Sequence, residues 1–485
     1  MVRSGAEYIE GLRDGRAVYV NGERVSDVTA HPAFAAGVRS VAHLYDLASR
    51  PDMAEIMTYP SPTTGHPINR AWKTPRSAED LRARRRAIGC WADASYGLIG
   101  RSPDHVASFF AGFAGSLDIF ARGGQRFADN LQRFYDKASQ EDLYLAYTIV
   151  HPQIDRSKPA HQQPEPHLFA SVAEERSDGI VVRGAMMVGT GAVMSDYIFL
   201  SCILPLRPGD EDYAISVVVP NGAPGVKIMC RRPYAQGQPS VFDYPLSTRF
   251  DETDSLIVFD DVFVPWEHVF IYRDIVNTRA QFYEGPAHLI GNHQAQVRFI
   301  SKLKFLVGLA RRVCVMTGAE TLPQVQAQLG ELAARAALVE GLVVASETEC
   351  LIDQNGVARP NPAFAYANMT VQSSLYPEML QIFRDLAGGG LIALPSSAAD
   401  FANPEIAAQL ERYVQSPGTP AREKVKLMKL AWEMIGSEFA GRHLLYEMFY
   451  AGAPFVVKGH AYRTYDWASA EALVQHCLDG YGLPA

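Results

Sequence analysis

The chain changes its hydrophobic pattern twice, and these two changes constrain its fold more than any other feature of the sequence. Up to about residue 145, apolar residues recur three and four positions apart, which predicts amphipathic helices. From Tyr147 to about Tyr272, short β-branched runs alternate with turn residues, which predicts an antiparallel sandwich or barrel. After residue 285 the helical spacing returns. The long helical segments there are 290–318, 322–353, 366–387 and 421–449.

Three domains follow from these changes of pattern. We predict an α+β fold with an N-terminal helical domain (residues 1–145), a central antiparallel β domain that is a sandwich or a barrel (residues 146–277) and a C-terminal four-helix bundle (residues 278–485). A chain of 485 residues is too long for one compact core, so several packed units are expected from its size alone.

The charge balance does not predict that the chain binds nucleic acid. The chain has 45 Lys and Arg against 53 Asp and Glu, a net charge of -8, and its one basic run, Arg84-Arg85-Arg86, lies in a helical pattern. We interpret that run as a solvated helix face or an ion-pair network. No segment approaches the roughly 18 apolar residues that cross a bilayer, and the N-terminus lacks an apolar signal core. We therefore expect a cytoplasmic protein with neither a nucleic-acid nor a membrane partner.

The common cofactor and metal motifs are missing. Six cysteines are scattered without a CxxC pair, so neither a disulfide framework nor a metal site is predicted. The stretch most like a dinucleotide-binding loop, Gly189-Thr190-Gly191, lacks the third glycine and lies in the β region. Any chemistry must therefore come from residues dispersed over the domains.

Segment 100–105 carries more polar groups than an ordinary loop. Pro103 can occupy the first turn of a helix, which sets Arg101 and His105 about one turn apart at its N-terminus, where an anion is stabilised. The alternative is a good helix start with a surface arginine.

Two further segments have similar character. Segment 149–156 combines an aromatic ring, an amide and a guanidinium, the groups needed to hold a heteroaromatic ring and a phosphate. In segment 436–443 small residues allow close approach to a helix, and Arg442 can reach a phosphate. A tight helix–helix contact is the alternative for this last segment.

Six ordered segments resemble the oxygenase components of two-component flavin monooxygenases, typified by 4-hydroxyphenylacetate 3-hydroxylase. They are 100–104 (GRSPD), 152–156 (PQIDR), 243–252 (DYPLSTRFDE), 264–267 (VPWE), 394–397 (LPSS) and 436–443 (GSEFAGRH). The resemblance covers nearly the whole chain. It implies an acyl-CoA dehydrogenase-like architecture of helical domain, β-barrel and four-helix bundle, assembled as a homotetramer.

The resemblance also implies a division of labour between two proteins. A separate NAD(P)H:flavin reductase supplies FADH2, and the oxygenase reacts it with O2 to form a C4a-hydroperoxide. One oxygen atom is then placed ortho to the hydroxyl of a phenol or a similar activated ring. The missing nicotinamide motif fits this division.

Individual residues acquire roles from the same resemblance. Arg101 matches the family's substrate-side arginine, a permanent cation that stabilises a phenolate. His293 lies near a position where some chlorophenol-oxidising relatives carry a catalytic histidine, and a capping or core histidine is the alternative. The positions implied to bind flavin are Tyr147, Ile149, His151, Gln153, Arg156, Thr190, Arg442, Ala451 and Gly452.

One departure from the family pattern concerns the substrate side. The usual phenol hydroxylases have Tyr four residues after the arginine and His at the position of Tyr147, whereas this chain has His105 and Tyr147. The exchange preserves a donor pair or signals a different ring, such as an aminophenol, a hydroxybenzoate, an indole or a carrier-bound tyrosine. We predict that a helix N-terminus keeps His105 neutral, so that it accepts the phenol proton beside Arg101. Tyr147 then donates to the same oxygen or orients the substrate.

Three other functions are the alternatives to an aromatic hydroxylase. The 4-hydroxybutyryl-CoA dehydratases of the same fold need three Cys and one His around an iron–sulfur cluster, and this chain has no cysteine near Arg101. An acyl-CoA dehydrogenase-like flavoenzyme would hold oxidised flavin and would not need O2. A non-catalytic flavin-fold protein would bind reduced FAD without consuming O2.

Overall fold

The computed structural model describes residues 2–238 and 240–482. The helices are α1 Gly5–Gly11, α2 Ala35–Ser49, α3 Ala54–Met57, α4 Ala78–Ala94, α5 Pro103–Ala114, α6 Leu117–Ala121, α7 Gln125–Gln140, α8 Ser247–Phe250, α9 Ile275–Tyr283, α10 Ala287–Thr317, α11 Pro323–Thr348, α12 Pro362–Ala387, α13 Ala407–Tyr413, α14 Ala421–Ile435, α15 Glu438–Phe449, α16 Pro454–Thr464 and α17 Trp467–Asp479. The strands are β1 Ala17–Val20, β2 Glu23–Val25, β3 Thr58–Pro60, β4 Pro67–Asn69, β5 Leu145–Thr148, β6 Ser171–Glu175, β7 Gly179–Met186, β8 Tyr197–Leu200, β9 Ser216–Pro220, β10 Val226–Cys230, β11 Ser255–Pro265, β12 Val269–Ile271, β13 Leu351–Ile352 and β14 Ala358–Arg359.

The strands of the middle region form two open sheets. One has six strands in the order β2-β1-β10-β11-β7-β6, and the other has four in the order β12-β9-β8-β5. The predicted closed barrel is not confirmed, because neither sheet closes on itself in the part of the chain that the structure describes. The predicted antiparallel pairing is also wrong in two places, since β1 pairs with β10 and β5 pairs with β8 in parallel.

The two parallel pairs have one physical origin. Strand β1 comes from a segment predicted as helical and β5 spans the predicted boundary between the helical and β domains, and each reaches its partner through a long stretch of intervening chain, as a parallel pair requires. The alternation of side chains within a strand reveals which face is buried, but it does not reveal the direction of the neighbouring strand. The N-terminal strands β1 and β2 thereby extend a sheet that otherwise consists of strands from the middle region.

The C-terminal helices form the predicted bundle, with one of its members broken. Helices α10, α11 and α12 are continuous, whereas the fourth member is interrupted between α14 and α15. At the break, Ser437 caps α15 by accepting a hydrogen bond from the backbone N–H of Ala440. A Cβ at Gly436 would lie 2.4 Å from the Trp432 ring, so a larger residue would force that ring to move. Within the described residues, no helix combines the length and apolar character needed to span a bilayer.

Helices α5 and α10 pack closely because glycines line their contact. A Cβ at Gly112 of α5 would lie 2.3 Å from the Cα of Ala287, and a Cβ at Gly291 of α10 would lie 2.2 Å from the Phe109 ring. The first half of α10, residues 287–303, is buried on every side. A helix buried all round is normally apolar, yet this stretch carries histidine, amide, arginine and lysine side chains.

Candidate active site

The start of α5 brings together the two side chains that the spacing of four residues pairs. Nη1 of Arg101 lies 2.6 Å from Nε2 of His105. Burial, followed by the charge of Arg101, holds the pKa of the His105 imidazole well below its usual value, so the ring is neutral near pH 7. The sequence predicted this neutral state from the helix N-terminus, whereas burial and Arg101 are the main causes found in the structure.

Tyr147 completes this group from the neighbouring sheet. It lies on β5, where it is paired with Phe199 of β8. The centre of its ring is 5.1 Å from Cζ of Arg101 and 5.4 Å from the centre of the His105 ring. Phe109 encloses the same point, with ring-centre distances of 5.4 Å to His105 and 5.7 Å to Tyr147. The structure therefore brings a cation, a neutral imidazole and a phenol together between aromatic walls.

Gln294, which was not predicted as a site residue, faces the far side of His105 and is held there by Asp104 and Ser102. Oε1 of Gln294, on α10, lies 2.8 Å from Nδ1 of His105. Nε2 of the same amide donates to Oδ1 of Asp104 at 2.9 Å and to Oγ of Ser102 at 3.2 Å. Burial raises the pKa of Asp104 to about 6, so this carboxyl is ionised above that pH. The available signal was the set of polar residues in the fully buried half of α10.

Two carboxylates tie Arg101 to two of the implied flavin-binding residues. The backbone N–H of Arg101 donates to Oε1 of Glu252 at 2.5 Å, and Oε2 of Glu252 accepts from Arg442 at 2.8 Å. Asp254 accepts from Arg442 at 2.7 and 3.0 Å and from the hydroxyl of Thr190 at 2.7 Å. Thr190 and Arg442, which are 252 positions apart in the chain, therefore meet at one carboxylate beside the Arg101 loop.

Unused hydrogen-bonding groups next to this network fit a polar, anionic ligand. A guanidinium has five N–H donors, and Arg442 uses three on Glu252 and Asp254, which leaves two. Among the described residues, the buried hydroxyls of Tyr446 and Tyr450 have no hydrogen-bond partner. Burial raises the pKa of Tyr446 to about 12 despite the nearby arginines, so its hydroxyl stays protonated and can donate. These donors are of the kind that FAD requires for its phosphates and ring edge.

The implied flavin contacts in segment 149–156 differ in exposure. Ile149 is buried in an apolar core, and His151 stacks on Phe169 with ring centres 4.5 Å apart. Gln153 and Arg156 are exposed, and in residues 2–238 and 240–482 their side chains have no hydrogen-bond partner. Their contact with flavin stays a prediction, whereas Ile149 and His151 have packing roles of their own.

A backbone hydrogen bond joins segment 149–156 to the loop that carries Thr190. The N–H of Met187 donates to the carbonyl of Val150 at 3.0 Å. At the other end of the site, Ala451 is half-buried and Gly452 is exposed, with a positive φ of 103° that favours glycine. The implied positions around 150, 190 and 450 thus lie on loops and helix ends, with Ile149, His151 and Thr190 buried and Gly452 exposed.

His293 lies in different surroundings from its neighbour Gln294. Its Nε2 is 2.8 Å from Oε1 of Glu347 on α11, and Glu347 also pairs with Arg85 at 2.9 Å. In the described part of the chain no hydrogen bond joins His293 to Arg101 or His105. The catalytic role expected for His293 therefore has no geometric support. No cluster of three or more His, Cys, Asp or Glu among the described residues is arranged to hold a metal ion.

Comparison with known proteins defines first the fold class and then the family. An archaeal 4-hydroxybutyryl-CoA dehydratase from N. maritimus shares the fold with a TM-score of 0.90 at 23% identity, over 99% of this chain and 96% of that chain. The chain therefore has an acyl-CoA dehydrogenase-like fold, and its site contains a buried cationic centre. Residues 4–271 match the N-terminal region and residues 278–479 the C-terminal region of 4-hydroxyphenylacetate 3-hydroxylase. The chain belongs to the 4-hydroxyphenylacetate 3-hydroxylase family.

Relatives with described activities support the same assignment. A solved oxygenase component of 4-hydroxyphenylacetate 3-monooxygenase, complexed with FAD and 4-hydroxyphenylacetate, has a TM-score of 0.93 at 32% identity, over 99% of this chain and 98% of that chain. The oxygenase component of a 4-nitrophenol 2-monooxygenase from Rhodococcus sp is 39% identical over 93% of this chain and 86% of the relative. The predicted family, its flavin-dependent monooxygenase class and FAD as its cofactor are confirmed.

Proposed function

We propose that this chain is the oxygenase component of a two-component system that hydroxylates a phenol, or a similarly activated aromatic ring, ortho to its hydroxyl. The observation that supports this most strongly is the contact of 2.6 Å between Arg101 and the neutral His105 beside Tyr147. An aromatic hydroxylase must make its ring electron-rich, and a permanent cation next to a proton acceptor favours the phenolate form.

His105 and Arg101 have different roles in the proton transfer: His105 accepts the proton, and Arg101 stabilises the anion. The phenol O–H gives its proton to Nε2 of His105, while the electron pair stays on the phenol oxygen. The N–H of Arg101 that points at Nε2 turns to that oxygen and stabilises its negative charge. Tyr147 donates to the same oxygen or orients the ring. The products of the step are an imidazolium and a phenolate held by Arg101.

The aromatic walls exclude water from the reacting groups. Phe109 is 4% exposed and Phe282 is 1% exposed, and their ring centres lie 6.3 Å apart. Reduced FAD, when bound, supplies the electrons that activate O2 and thereby the oxygen atom that the ring receives. Excluding water protects this oxygen-transfer chemistry from stray protons.

We propose that FAD binds to the groups around Asp254 and Tyr446. The two unused N–H donors of Arg442 would meet a phosphate, and Thr190 would contact the flavin from the loop that follows β7. Gln153 and Arg156 would contact it from the neighbouring exposed segment. Tyr446 and Tyr450 would donate their unpaired hydroxyls.

We expect turnover to depend on a separate reductase, because the chain lacks a nicotinamide-binding motif and relatives are named as oxygenase components. NADH with this protein and a phenol panel should give no hydroxylated product. Adding a NAD(P)H:flavin reductase and FAD should restore turnover, measured as product by mass spectrometry. Product formation by the lone chain with NADH would overturn the proposal.

Replacing Arg442 with alanine should weaken binding of reduced FAD. The expected loss is about 1.5–3 kcal/mol for a charge-assisted contact, measured by anaerobic titration. Arg231→Ala is the matched control, because Arg231 also pairs with Asp254, at 2.9 Å, but has no predicted phosphate contact. Unchanged affinity in Arg442→Ala, or an equal loss in both variants, would remove Arg442 from the flavin site.

We further propose that the chain assembles as a homotetramer in the cytoplasm. Every residue of α17 is exposed or half-buried, and its apolar side chains Leu473 and Val474 are 72% and 59% exposed. An apolar helix face of this kind is buried in solution by a second copy of the chain. Light scattering should give a tetramer for the natural protein and a smaller species for Leu473→Asp. A monomeric natural protein would contradict the proposal.

A further inference from the structure

Gln294 is the buried side chain with the most direct hold on His105. It lies in the half of α10 that is buried on every side, and its own exposure is 0%. Both ends of its amide are engaged, the oxygen with His105 and the nitrogen with Asp104 and Ser102. A side chain held at both ends inside a packed helix has one available orientation.

The hydrogen-bond partners decide which way the amide faces. The hydroxyl of Ser102 donates to Oδ1 of Asp104 at 2.5 Å, so the serine oxygen is left to accept. An ionised carboxylate only accepts. The NH2 group of Gln294 must therefore face Asp104 and Ser102, and its carbonyl oxygen must face His105.

This orientation fixes the tautomer of His105. A carbonyl oxygen 2.8 Å from Nδ1 requires that Nδ1 carries the proton. In a neutral imidazole the other nitrogen, Nε2, then has a free lone pair, and this is the atom that faces the N–H of Arg101. Arg101 favours the same tautomer, since a guanidinium only donates, but without Gln294 the proton on Nδ1 would lose its acceptor and would no longer hold the ring in place.

We propose that Gln294 is a positioning residue that holds His105 as the Nδ1–H tautomer, with Asp104 and Ser102 fixing the amide, so that Nε2 is the proton acceptor for the substrate. The inference rests on the proposed role of His105 as the base. When Nε2 takes the phenol proton, the resulting imidazolium keeps its Nδ1–H on the carbonyl oxygen of Gln294. Asp104, Gln294 and His105 thus form an acid–amide–imidazole chain that ends at Arg101.

The tautomer can be observed without cofactor or turnover. In protein labelled with ¹⁵N-histidine, the signals of His105 are those that disappear in His105→Ala. We expect one proton-bearing and one bare nitrogen in the natural protein, with the proton on Nδ1, and a loss or mixing of this pattern in Gln294→Leu. Gln296→Leu is the matched control, because Gln296 is a buried amide on the same helix that donates to the carbonyl of Ala365. An unchanged Nδ1–H pattern in Gln294→Leu would overturn the proposal.

A double-mutant comparison tests whether Gln294 acts through His105. Gln294→Leu should lower hydroxylated product per reduced FAD by about 10- to 100-fold, the range known for partners that orient metal-bound histidines. The same change in a His105→Ala background should cost little more, since the residue it positions is gone. An equal further loss in that background would overturn the positioning role.

Two additional results keep this inference separate from the proposed function. Gln294→Glu retains an acceptor for Nδ1–H when its other oxygen carries a proton toward Asp104, so below the pH at which both carboxyls ionise it should keep more product per flavin than Gln294→Leu. If it yields no more than the leucine variant, the acceptor at Nδ1 is not what matters and the proposal falls. If His105→Ala itself leaves product per flavin unchanged, the base assignment fails, and the positioning role fails with it for that stated reason.

Discussion

Replacing His105 with alanine should slow hydroxylation by about 10²-fold or more, the scale of a lost general base. The variant lacks the atom that accepts the phenol proton, but it keeps Arg101 and the groups assigned to the flavin. Reduced FAD should therefore still react with O2, and the oxygen should be lost as H2O2. Stopped-flow absorbance with product and peroxide analysis measures both fates in one experiment.

A second buried histidine serves as the control for this variant. His288 is 4% exposed, burial lowers its pKa to about 3, and it contacts Tyr366 on α12. His288→Ala therefore removes a neutral buried imidazole from another part of the bundle, and it should leave product per flavin near the natural level. If His105→Ala also retains the natural yield, the base is not His105, and His293 becomes the next candidate despite its contact with Glu347.

Replacing Glu447 with glutamine should lower the free energy of unfolding by about 3–5 kcal/mol, the cost of leaving buried charges unpaired. Glu447 accepts hydrogen bonds from Arg298 at 2.5 and 2.8 Å and from Lys302 at 2.7 Å. All three side chains are buried in the bundle. Arg298 also contacts the Tyr446 ring, so the same network supports one wall of the site.

The control for this prediction lies on the same helix. Glu438 forms an exposed pair with Arg232, so Glu438→Gln should change the unfolding free energy by less than about 1 kcal/mol. Denaturant unfolding of both variants measures the difference. Similar small losses in the two variants would show that the buried network contributes little.

The stabilisation that Glu447 provides through Arg298 and Lys302 should decrease as the pH falls. Burial opposes ionisation of Glu447, but Arg298 and Lys302 outweigh it and lower the pKa from 4.5 to about 2. The contribution of the carboxylate is therefore complete above pH 4.5 and is lost as the pH falls toward 2. The stability difference between the natural protein and Glu447→Gln should shrink over that window.

The succession of helices, strands and bundle could be predicted from the sequence, because each type of element repeats its apolar residues with its own period. The four predicted bundle segments correspond closely to α10, α11, α12 and the broken pair α14 and α15. Sheet closure and strand direction could not be predicted in this way. They depend on which strands become neighbours: β1 joins a sheet from outside the run of strands that the pattern revealed, and β5 lies at the very start of that run.

The candidate site was predictable where neighbours in space are neighbours on one helix turn. The spacing of Arg101 and His105 placed them in contact, whereas the nearby Gln294 comes from a helix far away in the sequence. Adjacent residues on a helix point about 100° apart, so a loose match to His293 selected a side chain that points about 100° away from the one that reaches His105. Glu252 was likewise quoted only as part of a motif, and its bonds to the Arg101 loop and to Arg442 became visible only in the fold.

One measurement tests directly whether the protein with reduced FAD transfers an oxygen atom from O2 to a phenol. The protein and anaerobically reduced FAD are mixed with isotope-labelled O2 and a panel of phenols, without reductase or NADH. We expect at least one product that is heavier by a single labelled oxygen atom placed ortho to the hydroxyl. Product that carries unlabelled oxygen, or binding of reduced FAD with no consumption of O2 for any phenol, would contradict it.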